Sequence, residues 1–303
     1  MATAYWLRRV KTICAHCGKA PVPLFEAIDE NRRCAGSFTY LRCAGCGLIT
    51  NATPPLNMQD YYPGEYYAIP TIGSLERLAS REQCKINAIK RFVMRGRLLE
   101  IGPAFGTFAL RARQEGFEVT CIERDARCRD YLESSVGVHA IGSSNPAAVV
   151  TQLPSFDVIA LWQVIEHLDA PLALLDCLAA RLTVGGILAL STPNPESFQF
   201  ARMGKRWPHV DAPRHLHLLP ASLLIERMQA HGFETCLLDS NDADAKSWNR
   251  FGWQRLIMNR FGGPLGNVLG IAAGRMLSVM FQPLESAAMR GSTYTLVMRK
   301  KAA

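Results

Sequence analysis

The stretch EIGPAFGTF at residues 100–108 follows the apolar residues RLL at 97–99 and decides how this chain is interpreted. An apolar run that ends in a glycine-containing turn before a helical pattern predicts a strand–loop–helix unit. In a parallel sheet, ligands bind at the carboxyl ends of the strands, near the first such turn. The loop after Glu100 is therefore predicted to lie against a bound ligand.

The glycine spacing of this loop excludes two common phosphate-binding loops. A dinucleotide fingerprint requires Gly-x-Gly-x-x-Gly, whereas the sequence here is Gly102-Pro103-Ala104-Phe105-Gly106. A P-loop is excluded because no Gly-Lys-Ser/Thr follows. A nucleoside without phosphates remains, and S-adenosylmethionine fits that description. Glu123, 21 residues after Gly102, is predicted to accept hydrogen bonds from both ribose hydroxyls, and Glu100 to orient the loop or to meet an ammonium group through water.

From residue 97 onward, strand patterns alternate with helical patterns, which predicts a parallel, doubly wound, Rossmann-like α/β sheet of seven strands. The last two strands are separated by an insertion at roughly 243–290, predicted to be helical. The predicted strands are 97–102, 118–123, 138–142, 156–161, 186–193, 233–239 and 291–301.

Two Cys-x-x-Cys-Gly knuckles, CAHCG at 14–18 and CAGCG at 43–47, precede this pattern. Four soft ligands in two knuckles are the tetrahedral set that zinc prefers, so Cys14, Cys17, Cys43 and Cys46 are predicted to hold structural zinc. The alternative is four scattered reduced cysteines. A closed four-thiolate site leaves no position for substrate, which assigns the metal to folding. We expect a zinc ribbon at 1–55, a linker and lead-in helix at 56–95, and the main domain at 96–303.

The length and net charge of the chain restrict its possible partners. The chain has 303 residues, a formal charge of +8 and a pI near 9.1, which favours acidic partners or indicates a solvated basic face. The N-terminal stretch lacks an apolar core of signal-peptide length, and polar residues interrupt the apolar run at 264–284. We therefore expect a cytoplasmic protein that can still touch a membrane surface. Four tyrosines, Tyr61, Tyr62, Tyr66 and Tyr67, either cover a ligand site or pack on themselves.

Residues 97–194 resemble class I S-adenosylmethionine-dependent methyltransferases. EIGPAFGTF resembles their first motif, CIERD their second-strand acid, FDVIALWQVIEHLDAP their fourth-strand motif and LTVGGILALSTPN their fifth-strand turn. The whole chain looks like a bacterial small-molecule subgroup with an N-terminal zinc ribbon. This resemblance implies that S-adenosylmethionine is held by a set of loop and strand-end residues. They are Glu100, Gly102, Ala104, Gly106, Glu123, Trp162 and Gln163.

Two positions depart from the resembled family. Many relatives carry an acidic residue after the third strand, whereas this chain has Gly142-Ser143-Ser144, so adenine is expected to be held by backbone and apolar contacts. The quinone O-methylating type places carboxylates in a Glu-x-x-Glu-His stretch, which implies a divalent cation. Here the first position is the neutral Gln163, which argues against a catalytic metal.

Methyl transfer to a hydroxyl requires a proton acceptor beside the nucleophile. His167, with Glu166 beside it, is the predicted general base, and the alternative is a histidine that braces the next helix. The segment WPHVDAPRHLHLLP at 207–220 is the second candidate. Its histidines and Arg214 either bind a carboxylate or phosphate or satisfy buried carbonyls, and His215 matches the family's recurrent histidine.

Three functions are compatible with this sequence. The leading one is O-methylation of a small acidic, lipid-like or polyketide-like acceptor. The insertion, with a basic amphipathic helix and an apolar hairpin, would then be a substrate lid, a membrane contact or ordinary packing. An RNA base methyltransferase is disfavoured because WQVIEH replaces the motif used for base amino groups, and nucleic acid is an unlikely partner. A non-catalytic zinc-ribbon adaptor is the third.

Overall fold

The computed structural model describes residues 13–62 and 66–302. The N-terminal stretch considered for a signal peptide, apart from its last residues, and positions 63–65 of the linker lie outside the described residues. The eleven strands among the described residues are β1 Pro21–Ile28, β2 Ser37–Cys43, β3 Ile49–Asn51, β4 Gly96–Ile101, β5 Phe117–Glu123, β6 His139–Gly142, β7 Phe156–Trp162, β8 Leu182–Pro193, β9 His217–Leu218, β10 Phe233–Asp239 and β11 Thr293–Lys300. The α-helices are α1 Ile72–Ala79, α2 Gln83–Lys90, α3 Thr107–Gln114, α4 Ala126–Tyr131, α5 Pro146–Val150, α6 Pro171–Arg181, α7 Phe198–Met203, α8 Ala221–Gln229, α9 Ala243–Phe261 and α10 Gly263–Ser286.

The seven-stranded α/β sheet is confirmed, with the strand order β10-β11-β8-β7-β4-β5-β6. Side chains of β4 alternate between two cores, since Leu98 packs on one face of the sheet and Leu99 on the other. Both faces are therefore covered, as expected for a doubly wound sheet. The sheet is mixed rather than fully parallel, because β11 runs antiparallel to both β8 and β10. An antiparallel return needs no crossover helix, which leaves α9 and α10 free to lie elsewhere.

The ribbon shares a sheet with the main domain. Strands β1, β2 and β3 form an antiparallel ribbon, and β9 from the segment 207–220 adds the fourth strand beside β3. The Tyr40 hydroxyl donates to the carbonyl of His215 at 2.9 Å, and Trp207 packs in the same small core. The domain boundary at residue 55 stays a prediction, but a strand from each side of it belongs to one sheet.

The insertion is a helical hairpin of α9 and α10, joined at two glycines. Three glycines of α10, Gly266, Gly270 and Gly274, face α9, and a Cβ at Gly274 would lie 2.6 Å from the Cα of Gln254. The expected apolar hairpin at 264–284 is instead the single helix α10. It is the one helix among the described residues that is long and apolar enough to cross a membrane, although length and composition alone are weak grounds for that.

Candidate active site

A cavity of about 970 Å³ opens at the carboxyl ends of β4, β5 and β7. Three of the linker tyrosines (Tyr62, Tyr66 and Tyr67), residues of the segment 207–216 and helix α9 line its other side. This volume is at the upper end of the range for small-molecule sites. The predicted site residues that line the cavity are Gly102, Ala104, Glu123, Trp162, Gln163, His167 and His215. Glu100, Gly106 and Glu166 lie behind its wall.

The glycine loop requires glycine at two positions. Gly102 and Gly106 have φ values of 69° and 85°, in the left-handed region that side chains rarely adopt. A Cβ at Gly102 would lie 2.7 Å from Val164, and one at Gly106 would lie 2.5 Å from Leu132. The absence of a side chain at Gly106 therefore lets the start of α3 pack closely against Leu132. The absence of one at Gly102 lets Val164, in the turn after β7, approach the glycine loop.

Glu123 is held in place by the loop it faces. Its carboxylate accepts hydrogen bonds from the backbone N–H of Ala104 at 3.0 Å and of Asp125 at 2.8 Å. Burial raises the pKa of Glu123, and these N–H groups act in the opposite direction. A fixed acceptor at the end of the second strand suits a ribose diol, so the residues present fit a nucleoside.

Glu100 lies under the loop and is 3% exposed. One of its carboxylate oxygens has no hydrogen-bond partner among the described residues, and burial raises its pKa well above the usual value. Lys85, which pairs with Glu82 at 2.7 Å, lies 5.3 Å from the Trp162 ring centroid. Lys85 and Glu82 belong to the lead-in helical segment and carry no motif, so the sequence does not indicate them.

Trp162 is the last residue of β7, and Gln163 follows it at the cavity. The Trp162 ring meets Phe108 edge to face, with ring centroids 5.2 Å apart. Gln163 has a φ of 57°, and its side-chain amide donates to the Ser191 hydroxyl at 3.1 Å. A left-handed, non-glycine residue costs on the order of 1 kcal/mol and is typical of functional sites. This turn directs the next residues, Val164 to His167, back toward the glycine loop.

His167 and His215 form a pair on the cavity wall, with ring centroids 4.5 Å apart. Nδ1 of His167 lies 3.0 Å from the carbonyl of Arg214 and 3.2 Å from the Tyr62 hydroxyl. Nδ1 of His215 lies 2.8 Å from the carbonyl of His209. A carbonyl can only accept, so both Nδ1 atoms carry the proton and both Nε2 atoms keep a lone pair.

The two imidazoles differ in basicity. Burial lowers the pKa of His167 below its usual value. Burial and the neighbouring His167 together lower the pKa of His215 to about 3. Both rings are therefore neutral near pH 7, and His167 is the stronger base of the two.

Glu166 is fully buried behind this pair. One carboxylate oxygen accepts from the Thr192 hydroxyl at 2.9 Å, and the other has no partner among the described residues. Burial raises the pKa of Glu166 to about 8. Ligand atoms of Glu166, His167 and His215 lie within 4.8 Å of one another, which is close enough for a cation. The sequence-based expectation that no catalytic metal is used stays a prediction.

Aromatic side chains line much of the cavity. Tyr62, Tyr66 and Tyr67 form an edge-to-face series with ring centroids 4.8 and 4.9 Å apart. Trp248 and Phe251 of α9 face them across the cavity. Three of the four linker tyrosines thus cover the site. The fourth, Tyr61, packs on Phe38 and donates to the carbonyl of Ala35.

Arg214, a candidate for anion binding, has no donor left for a ligand. Its guanidinium is fully buried and makes five hydrogen bonds, to both carboxylate oxygens of Asp29, both of Asp211 and the carbonyl of Tyr61. These bonds use all three nitrogens of the fork. Arg214 therefore joins the ribbon to the main domain and does not face the cavity.

The four knuckle cysteines come together. The sulfur atoms of Cys14 and Cys46 are 3.5 Å apart, those of Cys17 and Cys43 are 3.3 Å apart, and all four lie within 4.8 Å of one another. Four thiolates about 2.3 Å from one zinc ion would be separated by about 3.8 Å, so the cluster is compatible with zinc. The glycine after each knuckle, Gly18 and Gly47, adopts a left-handed conformation.

The comparison with known families decides the class. A family described as "Methyltransferase domain" matches residues 75–238, more than half of the chain. The chain belongs to this methyltransferase family. Its S-adenosylmethionine-dependent, class I character agrees with the glycine loop, with Glu123 and with the strand order.

Two curated O-methyltransferases are similar to part of this chain. The chain is 32% identical over 129 residues to a ubiquinone biosynthesis O-methyltransferase of Xanthomonas campestris pv. campestris, covering 40% of this chain and 54% of the relative. It is 30% identical over 129 residues to a protein of the same name in Cereibacter sphaeroides, covering 40% of this chain and 51% of that one. The chain therefore spans about half the length of the curated relatives it matches.

The solved structures support the fold. A crystal structure of a SAM-dependent methyltransferase from Archaeoglobus fulgidus aligns with a TM-score of 0.51 at 17% identity, covering 75% of this chain and 94% of that one. At this identity the similarity concerns the fold alone. The methyltransferase fold, the glycine loop and the strand-end acid thus agree, whereas the acceptor has to be argued from the cavity.

Proposed function

We propose that this methyltransferase transfers a methyl group from S-adenosylmethionine to a hydroxyl oxygen of a small acidic or lipid-like, for example polyketide-like, molecule, with His167 as the general base. The observation that carries the proposal is the orientation of His167. Its Nδ1–H is engaged by a backbone carbonyl, so Nε2 keeps a lone pair on a ring that lines the same cavity as the glycine loop. The relatives named O-methyltransferase support the same reaction type.

The residues divide the work between the two halves of the cavity. S-adenosylmethionine supplies an electrophilic methyl group on a sulfonium. Glu123 would hold the ribose hydroxyls, and Ser143 and Ser144 line the end where adenine would lie. Trp162 and Gln163 border the middle of the cavity and exclude water there. Nε2 of His167 takes the proton of the acceptor hydroxyl, which makes the oxygen a better nucleophile.

His215 has a different role in this proposal. With a pKa of about 3, it is too weak a base to remove a proton from a hydroxyl at neutral pH. Its ring packs against His167 and fixes the angle at which that imidazole faces the cavity. Glu166 supports the pair from behind and is mostly protonated at pH 7.

The four cysteines are proposed to hold zinc, which would fix the ribbon against the main domain. A cytoplasmic location is also proposed. It is supported by the ten cysteines, none of which is in a disulfide within the described residues.

The experiment combines substrate discovery with base assignment. The protein is incubated with deuterated-methyl S-adenosylmethionine and a bacterial extract, and labelled products are found by the mass shift. His167→Ala is expected to slow transfer by about 100-fold or more without weakening the binding of S-adenosylhomocysteine. His215→Ala is the matched comparison, with a smaller expected loss. Full activity in His167→Ala together with none in His215→Ala would reverse the assignment of the base.

A further inference from the structure

Two arginines at the acceptor end of the cavity, Arg32 and Arg255, come from distant parts of the chain. Arg32 follows the first ribbon strand, and Arg255 lies on α9. Both line the cavity, and neither guanidinium group forms an ion pair with a carboxylate among residues 13–62 and 66–302, although the backbone N–H of Arg32 donates to Asp29 at 2.9 Å. Arg124 and Asp169 also line the cavity without an ion pair among the described residues, so what sets Arg32 and Arg255 apart is that two like charges lie near each other.

The local contacts hold both guanidinium groups in place. Arg255 donates to the carbonyl of Asn31, and Asn259 donates to the side chain of the same asparagine at 3.3 Å. Arg32 lies over the ring of Tyr66, with its Cζ 4.4 Å from the centroid. One arginine is thus fixed on a helix and the other on an aromatic face, so little ordering entropy remains to be lost on binding.

The nearby carboxylates do not neutralise this pair. Asp29 and Asp211 are engaged by Arg214, and Asp211 also accepts from the Asn31 side chain at 2.6 Å. Together with Arg32 and Arg255, this group carries a net positive charge of one. Burial and the proximity of Arg32 lower the pKa of Arg255, which shows that the two positive charges repel each other.

We infer that Arg32 and Arg255 form a subsite for an oxyanion, carboxylate or phosphate, on the methyl acceptor. This inference rests on the proposed function, since it names the class of its acceptor. A planar or tetrahedral oxyanion fits the donor fork of arginine and would relieve the repulsion between the two guanidinium groups. The acceptor then lies along the tyrosine wall, with its anionic end at the arginines and its hydroxyl at His167.

Inorganic phosphate is the first probe, followed by phosphorus NMR line broadening with the cofactor product S-adenosylhomocysteine present. The wild type is expected to bind phosphate, Arg32→Gln and Arg255→Gln each to weaken it by about tenfold, and the double variant to lose it. Arg250→Gln is the matched control, because Arg250 is an exposed arginine on the same helix that does not line the cavity. Equal phosphate binding in the wild type and the double variant, or none in either, overturns the subsite.

A second measurement identifies the source of the anion. Labelled methyl products from the extract experiment are passed over an anion exchanger before and after phosphatase treatment. Retention that phosphatase removes indicates a phosphate ester, and retention that persists indicates a carboxylate. Neutral products overturn the inference, whereas failure to bind S-adenosylhomocysteine or to transfer any label counts against the proposed function itself.

The outer face of α10 carries an independent inference. The side that faces α9 is built of glycines, and the free side exposes large apolar residues. The exposed residues are Leu265, Val268, Ile271, Met276, Val279, Met280 and Leu284, each at least 45% exposed. An apolar patch of this extent on a surface helix is typical of an interaction site.

The exposed charged residues of α9 and α10 indicate the kind of partner that this face binds. The exposed charged residues of the two helices are Lys246, Arg250, Arg260 and Arg275, and all are basic. The acidic residues of the pair face inward, since Glu285 accepts from Gln199 and Trp253, and Asp244 accepts from Trp248. We propose that this face lies on an anionic lipid surface, parallel to it, because the other side of α10 is packed on protein.

Vesicle sedimentation tests this contact. The protein is expected to bind vesicles that contain phosphatidylglycerol, to bind pure phosphatidylcholine less, and to be released by salt. Val268→Asp with Val279→Asp should abolish binding while methyl transfer to a soluble acceptor is retained. A dimer in light scattering that these substitutions dissociate, with no vesicle binding by the wild type, would assign the face to a second copy of the chain and overturn the proposal.

Discussion

The Asp29–Arg214–Asp211 cluster allows the sharpest test of the difference between a structural arginine and a binding arginine. The guanidinium of Arg214 and the carboxylate of Asp29 are both fully buried, and Asp211 is 15% exposed. Arg214→Met keeps much of the side-chain volume but leaves two buried carboxylates without their cation. Breaking a buried pair in this way costs about 3–5 kcal/mol, because an uncompensated charge remains. The melting temperature should fall on the order of 10 °C.

The assay is urea unfolding and thermal melting of Arg214→Met beside the double variant Arg214→Met/Asp29→Asn. The double variant should recover part of the lost stability, because one of the two orphaned charges is removed. The deficit should also shrink below about pH 4. Burial alone would raise the pKa of Asp211, but the hydrogen bonds and the positive charge of Arg214 hold it below its usual value in the wild type. The stabilisation by Asp211 is therefore present at neutral pH and is lost as the pH falls.

Two comparisons make this result decisive. Glu234→Gln breaks an exposed pair with Arg299 and should leave the melting temperature unchanged. Arg255→Gln should show the opposite pattern to Arg214→Met, with near-normal stability and weakened acceptor binding. The reasoning is refuted if Arg214→Met melts like the wild type but has a raised KM for the acceptor, since Arg214 would then be a ligand-binding residue.

Three further outcomes are expected. Glu123→Ala should weaken S-adenosylhomocysteine binding by at least about tenfold in calorimetry with little change in melting temperature, and unchanged affinity would remove the ribose assignment. Cys43→Ser should release bound zinc, measured by elemental analysis, and lower the melting temperature, whereas retained stoichiometric zinc would contradict the four-thiolate site. Glu166→Gln should become more stable relative to the wild type as the pH rises. The pKa of Glu166 is raised to about 8 in the folded protein, whereas the same carboxyl ionises at about pH 4.3 in the unfolded chain. The wild type therefore loses up to about 5 kcal/mol of folding stability as the pH rises from about 4.3 to 8. Parallel pH profiles of the two proteins would contradict this expectation.

The residues predicted to hold the cofactor could be named from the sequence because their signals are local. The glycine loop and Glu123 lie within 24 residues of each other, from position 100 to 123, and the strand that carries each has a clear apolar pattern. Their backbone conformations follow from residue type, since Gly102 and Gly106 occupy left-handed positions. The seven strands were found for the same reason, and only the direction of β11 was missed.

The contacts on the other side of the cavity join distant segments, so the sequence does not indicate them. Asp29 and Arg214 are 185 positions apart in the sequence, and Arg255 and Asn31 are 224 positions apart. No local spacing indicates such pairs. The histidine–arginine segment at 207–220 therefore suggested anion binding by residue type alone. In the structure, all hydrogen-bond donors of the Arg214 guanidinium are already used by protein groups. Arg32 belongs to no motif, and Arg255 belongs only to the basic amphipathic helix of the insertion.

The ribbon is the part of the chain whose role changes most when the contacts are considered. Its small core is shared with Trp207 and Val210 of the main domain, and its sheet is completed by β9. A segment of this size buries too little apolar surface to hold a fixed shape alone, which is why four metal ligands would be needed. The same segment presents Asn31 and Arg32 to the cavity. Loss of the metal would therefore loosen the acceptor wall, while Glu123 and the glycine loop, held by the seven-stranded sheet, would keep their positions. On this argument the ribbon belongs to acceptor recognition, and chelation should raise the KM for the acceptor before it affects the binding of the cofactor.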